Sequence, residues 1–153
     1  MSKTSLEELL SKDKRLIYTN VGDSMLPLIK QGRDLLVIEK PSEWDKLPEN
    51  SKISKLKKYD IALYKRDGGK YYVLHRVLKI RDGDYVICGD NRWQREYGIT
   101  DRHVLGKLTG IIRNGKEIQL SGLKYRLYLF SWCNLFPFRA FILRVRSFLR
   151  RRL

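Results

Sequence analysis

Three short segments of this chain hold side chains that could act together on an electrophilic carbon. The first, residues 22–27, reads Gly-Asp-Ser-Met-Leu-Pro and contains Ser24; the others contain His75 and Asp90. A serine hydroxyl attacks well only when a base takes its proton, and an imidazole with a pKa of about 6.5 can do so near neutral pH. An acid that accepts from the imidazole Nδ1–H fixes its tautomer. Ser24, His75 and Asp90 therefore predict nucleophilic catalysis.

Each of these residues also has a purely structural interpretation. Ser24 could be a turn residue, His75 a half-buried strand histidine and Asp90 a turn former. A serine on a tight turn, however, also aims its own backbone N–H at the space where an oxyanion would form. Met25 and Pro27 are expected to anchor that turn on the core, and as neighbours of Ser24 they are the predicted substrate-binding residues.

The order of six short motifs resembles that of the signal peptidase I superfamily of serine peptidases, which also includes the LexA-type self-cleaving repressors. The resemblance runs from about Val21 to Ile118, nearly two-thirds of the chain. In order, the motifs are Gly-Asp-Ser-Met-Leu-Pro, Gly-Arg-Asp-Leu-Leu-Val, Lys-Lys-Tyr-Asp-Ile-Ala-Leu-Tyr, Leu-His-Arg-Val, Gly-Asp-Asn and Val-Leu-Gly-Lys-Leu. The resemblance implies a mostly β catalytic fold and hydrolysis of a peptide bond, with Ser24 as nucleophile.

Within that superfamily the base is either lysine or histidine. His75 stands where the bacterial type places its lysine, so the chain resembles the Ser/His branch. The resemblance implies Asp90 as the orienting acid, with Glu96 as the alternative and Asp101 as a third, less favoured one. Gly22 stands where the bacterial type often has an oxyanion-binding serine, so the oxyanion is expected to bind the backbone N–H of Ser24.

The remaining sequence predicts a mainly β protein in three parts. The first part, residues 1–15, is expected to contain a helix over residues 3–15. Residues 16–121 are expected to form the peptidase domain, and residues 122–153 a basic, aromatic, amphipathic tail. Residues 40–58 are polar and predict a long surface loop. Strands are predicted where Val, Ile and Tyr cluster between turn signals, at 16–18, 34–38, 61–64, 71–80, 85–88, 105–112 and 117–120.

The charge is concentrated at the C-terminal end. The net charge is +15, and the stretch from Arg102 to Leu153 holds twelve basic residues and one acid, Glu117. Leu127–Leu143 is too short and too interrupted for a membrane span. Aromatic residues beside a basic amphipathic helix favour docking on an anionic membrane surface through residues 126–153. The alternative is that the helix packs on its own domain.

These observations predict a serine endopeptidase that removes a leader or signal segment from a precursor. The start of the chain resembles neither a signal peptide nor the membrane anchor typical of signal peptidases, so we expect a cytoplasmic enzyme, peripheral at the inner face of the membrane. Two cysteines and two histidines predict no metal site, and no cofactor is expected. The alternatives are a LexA-like self-processing or nucleic-acid-binding regulator, with nucleic acid the less favoured partner, and a non-catalytic module of the same fold.

Overall fold

The fold is built on one sheet of eight strands, all paired antiparallel. The computed structural model describes residues 5–48 and 53–152. The strands are β1 Arg15–Thr19, β2 Asp34–Glu39, β3 Ile61–Tyr64, β4 Val73–Arg81, β5 Asp84–Cys88, β6 Glu96–Thr100, β7 Val104–Arg113 and β8 Lys116–Gln119. The helices are α1 Leu6–Asp13, α2 Gly122–Tyr128 and α3 Phe136–Arg150. The predicted mainly β class is confirmed.

Strand β7 organises the sheet because it pairs with three others. The strands follow the order β1-β2-β7-β3-β4-β5-β6, and β8 pairs with β7 outside this path. One edge of β7 pairs with β2, whereas the other pairs first with β3 and then with β8. Strand β4 pairs with β3 on one side and with β5 on the other. His75 on β4 therefore lies inside the sheet, among buried neighbours.

Two hydrophobic clusters cover the sheet. Along β3, Ile61 and Leu63 belong to the first cluster, whereas Ala62 and Tyr64 belong to the second. Since side chains alternate along a strand, the clusters lie on opposite faces of the sheet. The first also holds Met25, next to Ser24.

The N-terminal helix has the cap that its sequence predicts. Ser5 accepts from the backbone N–H of Glu8, and the Glu8 carboxylate accepts from the N–H of Ser5. The helix ends at Asp13 because Lys14 adopts a left-handed backbone conformation, and β1 begins at once. Residues 3 and 4 of the predicted helix lie outside the described residues.

Two expectations about the domain need correction. Strand β6 was not predicted, and it carries Glu96. Residues 40–58 are more than a surface loop: Ser42–Lys46 forms a 3-10 turn, and Trp44 and Leu56 are buried in the second cluster. Residues 49–52 of this segment are outside the part of the chain that the structure describes.

The tail consists of α2, a π-helical stretch at Leu129–Asn134, and α3 with Pro137 in its first turn. Helix α3 buries Arg139, Ala140 and Leu143 against the domain. Its predicted apolar arc faces the other way, with exposed fractions of 39–65% for its members Phe141, Ile142, Val145, Phe148 and Leu149. The tail thus packs on the domain and still presents an apolar surface. No helix in residues 5–48 or 53–152 has the length and apolar character needed to cross a bilayer.

Candidate active site

Ser24 lies in a turn between β1 and β2 that is fixed on both sides. Gly22 has a φ of +100°, a conformation that glycine adopts without strain. Its N–H donates to the side-chain oxygen of Gln31 at 2.8 Å, and its carbonyl accepts from Asn20 at 3.2 Å. Met25 is fully buried in the first hydrophobic cluster. These contacts hold the half-buried Ser24 between two anchored neighbours.

His75 meets an acid through one of its two ring nitrogens. Its Nδ1 lies 3.0 Å from Oε1 of Glu96, the first residue of β6, and 3.3 Å from the hydroxyl of Tyr64 on β3. An ionised carboxylate can only accept, so Nδ1 is the nitrogen that donates, and the neutral form of this ring has its lone pair on Nε2. His75 therefore has the tautomer that a general base needs.

Glu96 is ionised because three donors surround it. Burial alone would raise the pKa of Glu96, but hydrogen bonds from His75, Tyr64 and Arg66 outweigh burial and lower the pKa to about 2. The Tyr64 hydroxyl donates to Oε2 at 2.5 Å, and the Arg66 guanidinium pairs with the same oxygen. Burial and the neighbouring carboxylate raise the pKa of Tyr64, so Tyr64 remains a donor.

Asp90 does not occupy the place predicted for it. Its two carboxylate oxygens accept from Nε and Nη2 of Arg76 at 2.8 and 2.6 Å, in a fully buried bidentate pair. Tyr128 adds a third hydrogen bond to this carboxylate at 2.8 Å. The preferred assignment of Asp90 as the partner of His75 is thus corrected: that contact belongs to Glu96, the alternative that the sequence leaves open.

The tail takes part in holding Asp90. Besides the Tyr128 contact, the indole N–H of Trp132 donates to the backbone carbonyl of Asp90 at 2.8 Å. Arg76 also donates to the hydroxyl of Tyr125 at 2.8 Å. The buried ion pair is therefore enclosed by aromatic residues of the tail.

Asp101, the third acid considered, is also occupied elsewhere. Its carboxylate accepts from the backbone N–H of Lys55 at 3.1 Å and from the hydroxyl of Tyr85. Its role is to fasten the chain that precedes β3 to the second hydrophobic cluster, in which Tyr85 is buried.

Gly89 is the point where the serine turn and the histidine meet. A Cβ added to Gly89 would lie 2.6 Å from the backbone carbonyl oxygen of Ser24 and 3.0 Å from Nε2 of His75. The next residues fasten the turn: the N–H of Asn91 donates to that same carbonyl at 2.8 Å, and Arg92 donates to Asp23 at 2.7 Å. Nε2, the nitrogen with the free lone pair, thus faces the turn that bears Ser24.

No hydrogen bond joins Ser24 Oγ to His75 within the described residues. The backbone N–H of Ser24 also has no acceptor among them. In enzymes without bound substrate, the hydrogen bond between nucleophile and base is often long and tightens only in the substrate complex. The free N–H matches the oxyanion role predicted for it.

Ser24 opens onto a groove of about 550 Å³. Its walls include Leu63, Lys70, Tyr71 and Tyr72, contributed by β3 and the chain leading into β4. The two residues predicted to bind substrate do not line it. Met25 is packed in the core, and Pro27 borders a separate groove of about 460 Å³ against the β7–β8 hairpin and α2.

Four residues at the site were not among those singled out from the sequence. Tyr64 and Arg66 contact the carboxylate of Glu96, and Arg76 forms an ion pair with Asp90. Gly89 has no side chain and so leaves room for the backbone of Ser24 and the ring of His75. Tyr64, Arg76 and Gly89 belong to the motifs Asp-Ile-Ala-Leu-Tyr, Leu-His-Arg-Val and Gly-Asp-Asn. Arg66 follows the first motif by two residues, and the motifs do not indicate which residues pair with one another. Over the described stretches, no group of three or more His, Cys, Asp or Glu residues could hold a metal ion.

Comparisons with protein-family models, with curated proteins and with solved structures find no match to this chain. The chemical interpretation of the site therefore depends on its geometry and on the motif order.

Proposed function

We propose that this protein is a serine endopeptidase of the Ser/His branch of the signal peptidase I superfamily. One observation carries the proposal: Nε2 of His75 and the backbone of Ser24 converge on Gly89 while Nδ1 is bound to the ionised Glu96. A serine beside an imidazole that an acid orients is the arrangement that activates a hydroxyl for acyl transfer. His75, in the place where the bacterial type and the LexA-like regulators have lysine, also favours a Ser/His peptidase over a LexA-like regulator.

The reaction would follow from these positions. His75 Nε2 takes the proton from Ser24 Oγ as the oxygen attacks the scissile carbonyl, and the N–H of Ser24 stabilises the oxyanion. The imidazolium, stabilised by Glu96, then gives that proton to the leaving amine, and an acyl-enzyme on Ser24 remains. Water, deprotonated by His75, releases the acid product and restores the serine.

The groove beside Ser24 supports binding of an extended peptide. Its volume of about 550 Å³ can hold several side chains, and Tyr18, Tyr71 and Tyr72 contribute aromatic rings to its lining. We propose that its substrate is the leader or signal segment of a peptide or protein precursor, which is removed by one endoproteolytic cut.

The tail supports attachment to an anionic membrane. The exposed arc of α3 is apolar, and exposed Arg144, Arg146, Arg150, Arg151 and Arg152 accompany it. Arg139, which the sequence groups with these arginines, is instead 1% exposed and packs on the domain. The remaining charges suffice for reversible attachment at about 1 kcal/mol per basic residue near such a surface. We propose peripheral binding at the cytoplasmic face.

A second feature connects this attachment to the site. Arg146, Ser147 and Arg150 of α3 border a cavity with Asp23 and Asn91, the residues that flank and fasten the Ser24 turn. Because a helix with its side chains is about 10–12 Å across, the turn would lie within about one helix diameter of the membrane. The proposed substrate therefore has its scissile bond close to the bilayer surface.

The function can be tested with a library of peptides that carry small residues before the scissile bond. Wild-type protein should cleave a subset of the library, and Ser24→Ala should cleave none. Ser11→Ala, an exposed serine on α1, serves as the matched control and should behave as wild type. In cells, one precursor should accumulate when Ser24→Ala replaces the wild type. Equal cleavage by Ser24→Ala, or cleavage by neither protein, would contradict the proposal and favour a non-catalytic module.

A further inference from the structure

Four basic side chains converge on one cavity far along the chain from Ser24. The cavity has a volume of about 220 Å³ and is lined by Lys58, Lys79, Arg81 and Arg95. Lys79 and Arg81 come from β4, Lys58 from the chain before β3 and Arg95 from the chain before β6. Four cations from three separate segments therefore meet in one place, which local sequence does not explain.

No acid neutralises this cluster among residues 5–48 and 53–152. The lining contains no carboxylate, and none of the four side chains forms an ion pair within those ranges. Lys58 lies over the ring of Tyr59 at 4.7 Å, and Arg95 over the ring of Phe136 at 4.3 Å. Such contacts orient the cations without neutralising them. A concentration of uncompensated positive charge in a concave site favours an anionic ligand.

The beginning of α3 adds to this field. Phe136 and Pro137 line the cavity, and this 15-residue helix has no side-chain cap at its N-terminus. The dipole of a helix N-terminus attracts anions. On the same Phe136 ring, at 4.6 Å, lies the guanidinium of Arg139, which is 1% exposed and has two nitrogens, Nε and Nη1, without a hydrogen-bond partner. Its Nη2 donates to the backbone carbonyl of Arg92 at 3.2 Å, and no carboxylate in residues 5–48 or 53–152 forms an ion pair with it.

An apolar groove adjoins the basic cavity. It measures about 480 Å³, and its lining includes the exposed Leu127 and Phe130. Tyr59 and Asn134 line both spaces, and the Tyr59 hydroxyl donates to the Asn134 side chain between them. A site for an anion and a site for a hydrocarbon chain therefore share one wall.

We infer that this pair of spaces binds an anionic phospholipid, with its phosphate in the basic cavity and an acyl chain along the apolar groove. The cavity is smaller than the roughly 300–1,000 Å³ of sites for drug-sized ligands, as expected for a phosphate group. The inference rests on the proposed membrane attachment and names the lipid group that the protein recognises; the vesicle measurement below depends on that attachment. It assigns headgroup recognition to Lys58, Lys79, Arg81 and Arg95 instead of to the arginines of α3.

The test uses the full chain and two double variants of equal charge. Lys79→Gln with Arg81→Gln removes two charges from the cavity, and Lys12→Gln with Lys116→Gln removes two exposed charges elsewhere. Binding is measured by flotation with phosphatidylcholine vesicles that do or do not contain phosphatidylglycerol. We expect the cavity variant to bind the anionic vesicles about tenfold or more weakly than wild type, given the attraction of about 1 kcal/mol per basic residue. The control should lose less than about threefold. If the cavity variant unfolds, Arg95→Gln alone should weaken binding in the same sense.

Three further measurements make the result decisive. Inorganic phosphate should raise the thermal midpoint of wild type and of the control, but not that of the cavity variant. Equal vesicle binding by the two double variants would overturn the inference. So would a cavity variant that is no longer protected by phosphate but binds vesicles as well as wild type, because that result would indicate a soluble phosphate ligand. Retention on duplex DNA that only the cavity variant loses would also overturn it. Phe141→Ser with Phe148→Ser should reduce vesicle binding yet keep phosphate protection, which separates the cavity from the attachment surface.

Discussion

The Nδ1 of His75 lies 3.0 Å from Oε1 of Glu96, across the sheet from β4 to β6. This contact makes Glu96 the acid that fixes the imidazole, while Asp90 is committed to Arg76. The two carboxylates therefore have different partners, His75 for Glu96 and the buried Arg76 for Asp90. The difference can be measured.

Glu96→Gln should lower kcat by roughly 10²- to 10⁴-fold with little change in KM. The amide can keep a hydrogen bond but cannot stabilise the imidazolium, and the corresponding acid-to-amide change in chymotrypsin-type peptidases costs about 10⁴-fold. Steady-state kinetics on a cleaved peptide measures both constants.

Asp90→Asn is the contrasting variant, and its main effect should be on folding. Removing one partner of a buried ion pair costs about 3–5 kcal/mol, because Arg76 would remain buried with its charge uncompensated. Urea unfolding at neutral pH should show this loss. If Asp90→Asn kept full stability and lost only kcat, the structural role assigned to Asp90 would be wrong.

The acid stability of the protein should depend on Glu96. Its pKa is about 2 in the folded protein, against an ordinary value of 4.5, so the folded state binds fewer protons than the unfolded chain between these values. The stabilisation is complete above about pH 4.5 and is lost as the pH falls towards 2. Glu96→Gln should remove this part of the pH dependence, on the order of 3 kcal/mol. Urea unfolding from pH 6 to pH 2 measures it, with Glu43→Gln, an exposed carboxylate, as control. Parallel curves for the two variants would contradict the assignment.

Gly89→Ala should abolish most activity because it separates the nucleophile from its base. The new methyl group would lie 2.6 Å from the backbone oxygen of Ser24 and 3.0 Å from Nε2 of His75. We expect a loss of at least about 100-fold in kcat/KM, as for other misplacements of about 1 Å, and about 1–3 kcal/mol of stability. Gly110→Ala is the control, because its methyl group would meet only the side chain of Glu117. A fully active Gly89→Ala would show that the two groups need not approach one another here.

Attachment to membranes should depend on the exposed arc of α3. Phe141→Ser with Phe148→Ser removes two aromatic rings that are 65% and 53% exposed and should therefore leave folding unchanged. Because burying such side chains is worth about 1.5–3 kcal/mol each, affinity for anionic vesicles should fall by tenfold or more. Ile17→Thr with Leu35→Thr changes two apolar side chains on β1 and β2 that are 48% and 41% exposed, and it should not change binding. An equal loss of vesicle binding in both double variants would show that α3 is not the attachment surface.

The sequence predicts the sheet well where Val, Ile and Tyr cluster between turn signals. Seven strands lie within a few residues of the positions that these clusters predict. Strand β6 escapes this rule: in Glu-Tyr-Gly-Ile-Thr only Ile99 is buried, and Gly98 has a φ of +75°. The preference for Asp90 over Glu96 comes from the resemblance of Gly-Asp-Asn to a family motif, and the sequence has no signal that places Glu96 on a strand beside His75.

The pairing of acids and bases could not be read from sequence spacing. Arg76 is adjacent to His75, and only the register of β4 against β5, with Arg76 opposite Cys88, brings Arg76 to Asp90. The orientation of α3 was equally open. Its apolar arc is a property of the sequence, but Leu143, which lies outside that arc, packs on the domain together with Ala140 and Arg139. Which face a helix buries depends on the surface that it meets.

The central claim, that Ser24 forms a covalent acyl-enzyme, is tested most directly by mass spectrometry of a quenched reaction. Wild-type protein mixed with a peptide that it cleaves, and stopped with acid within the first turnover, should carry an adduct on the tryptic peptide containing Ser24. The added mass should equal that of the N-terminal product less one water. Glu96→Gln should form the same adduct more slowly, and Ser24→Ala should form none. Product release with no adduct on Ser24, at a rate that Ser24→Ala equals, would contradict the account.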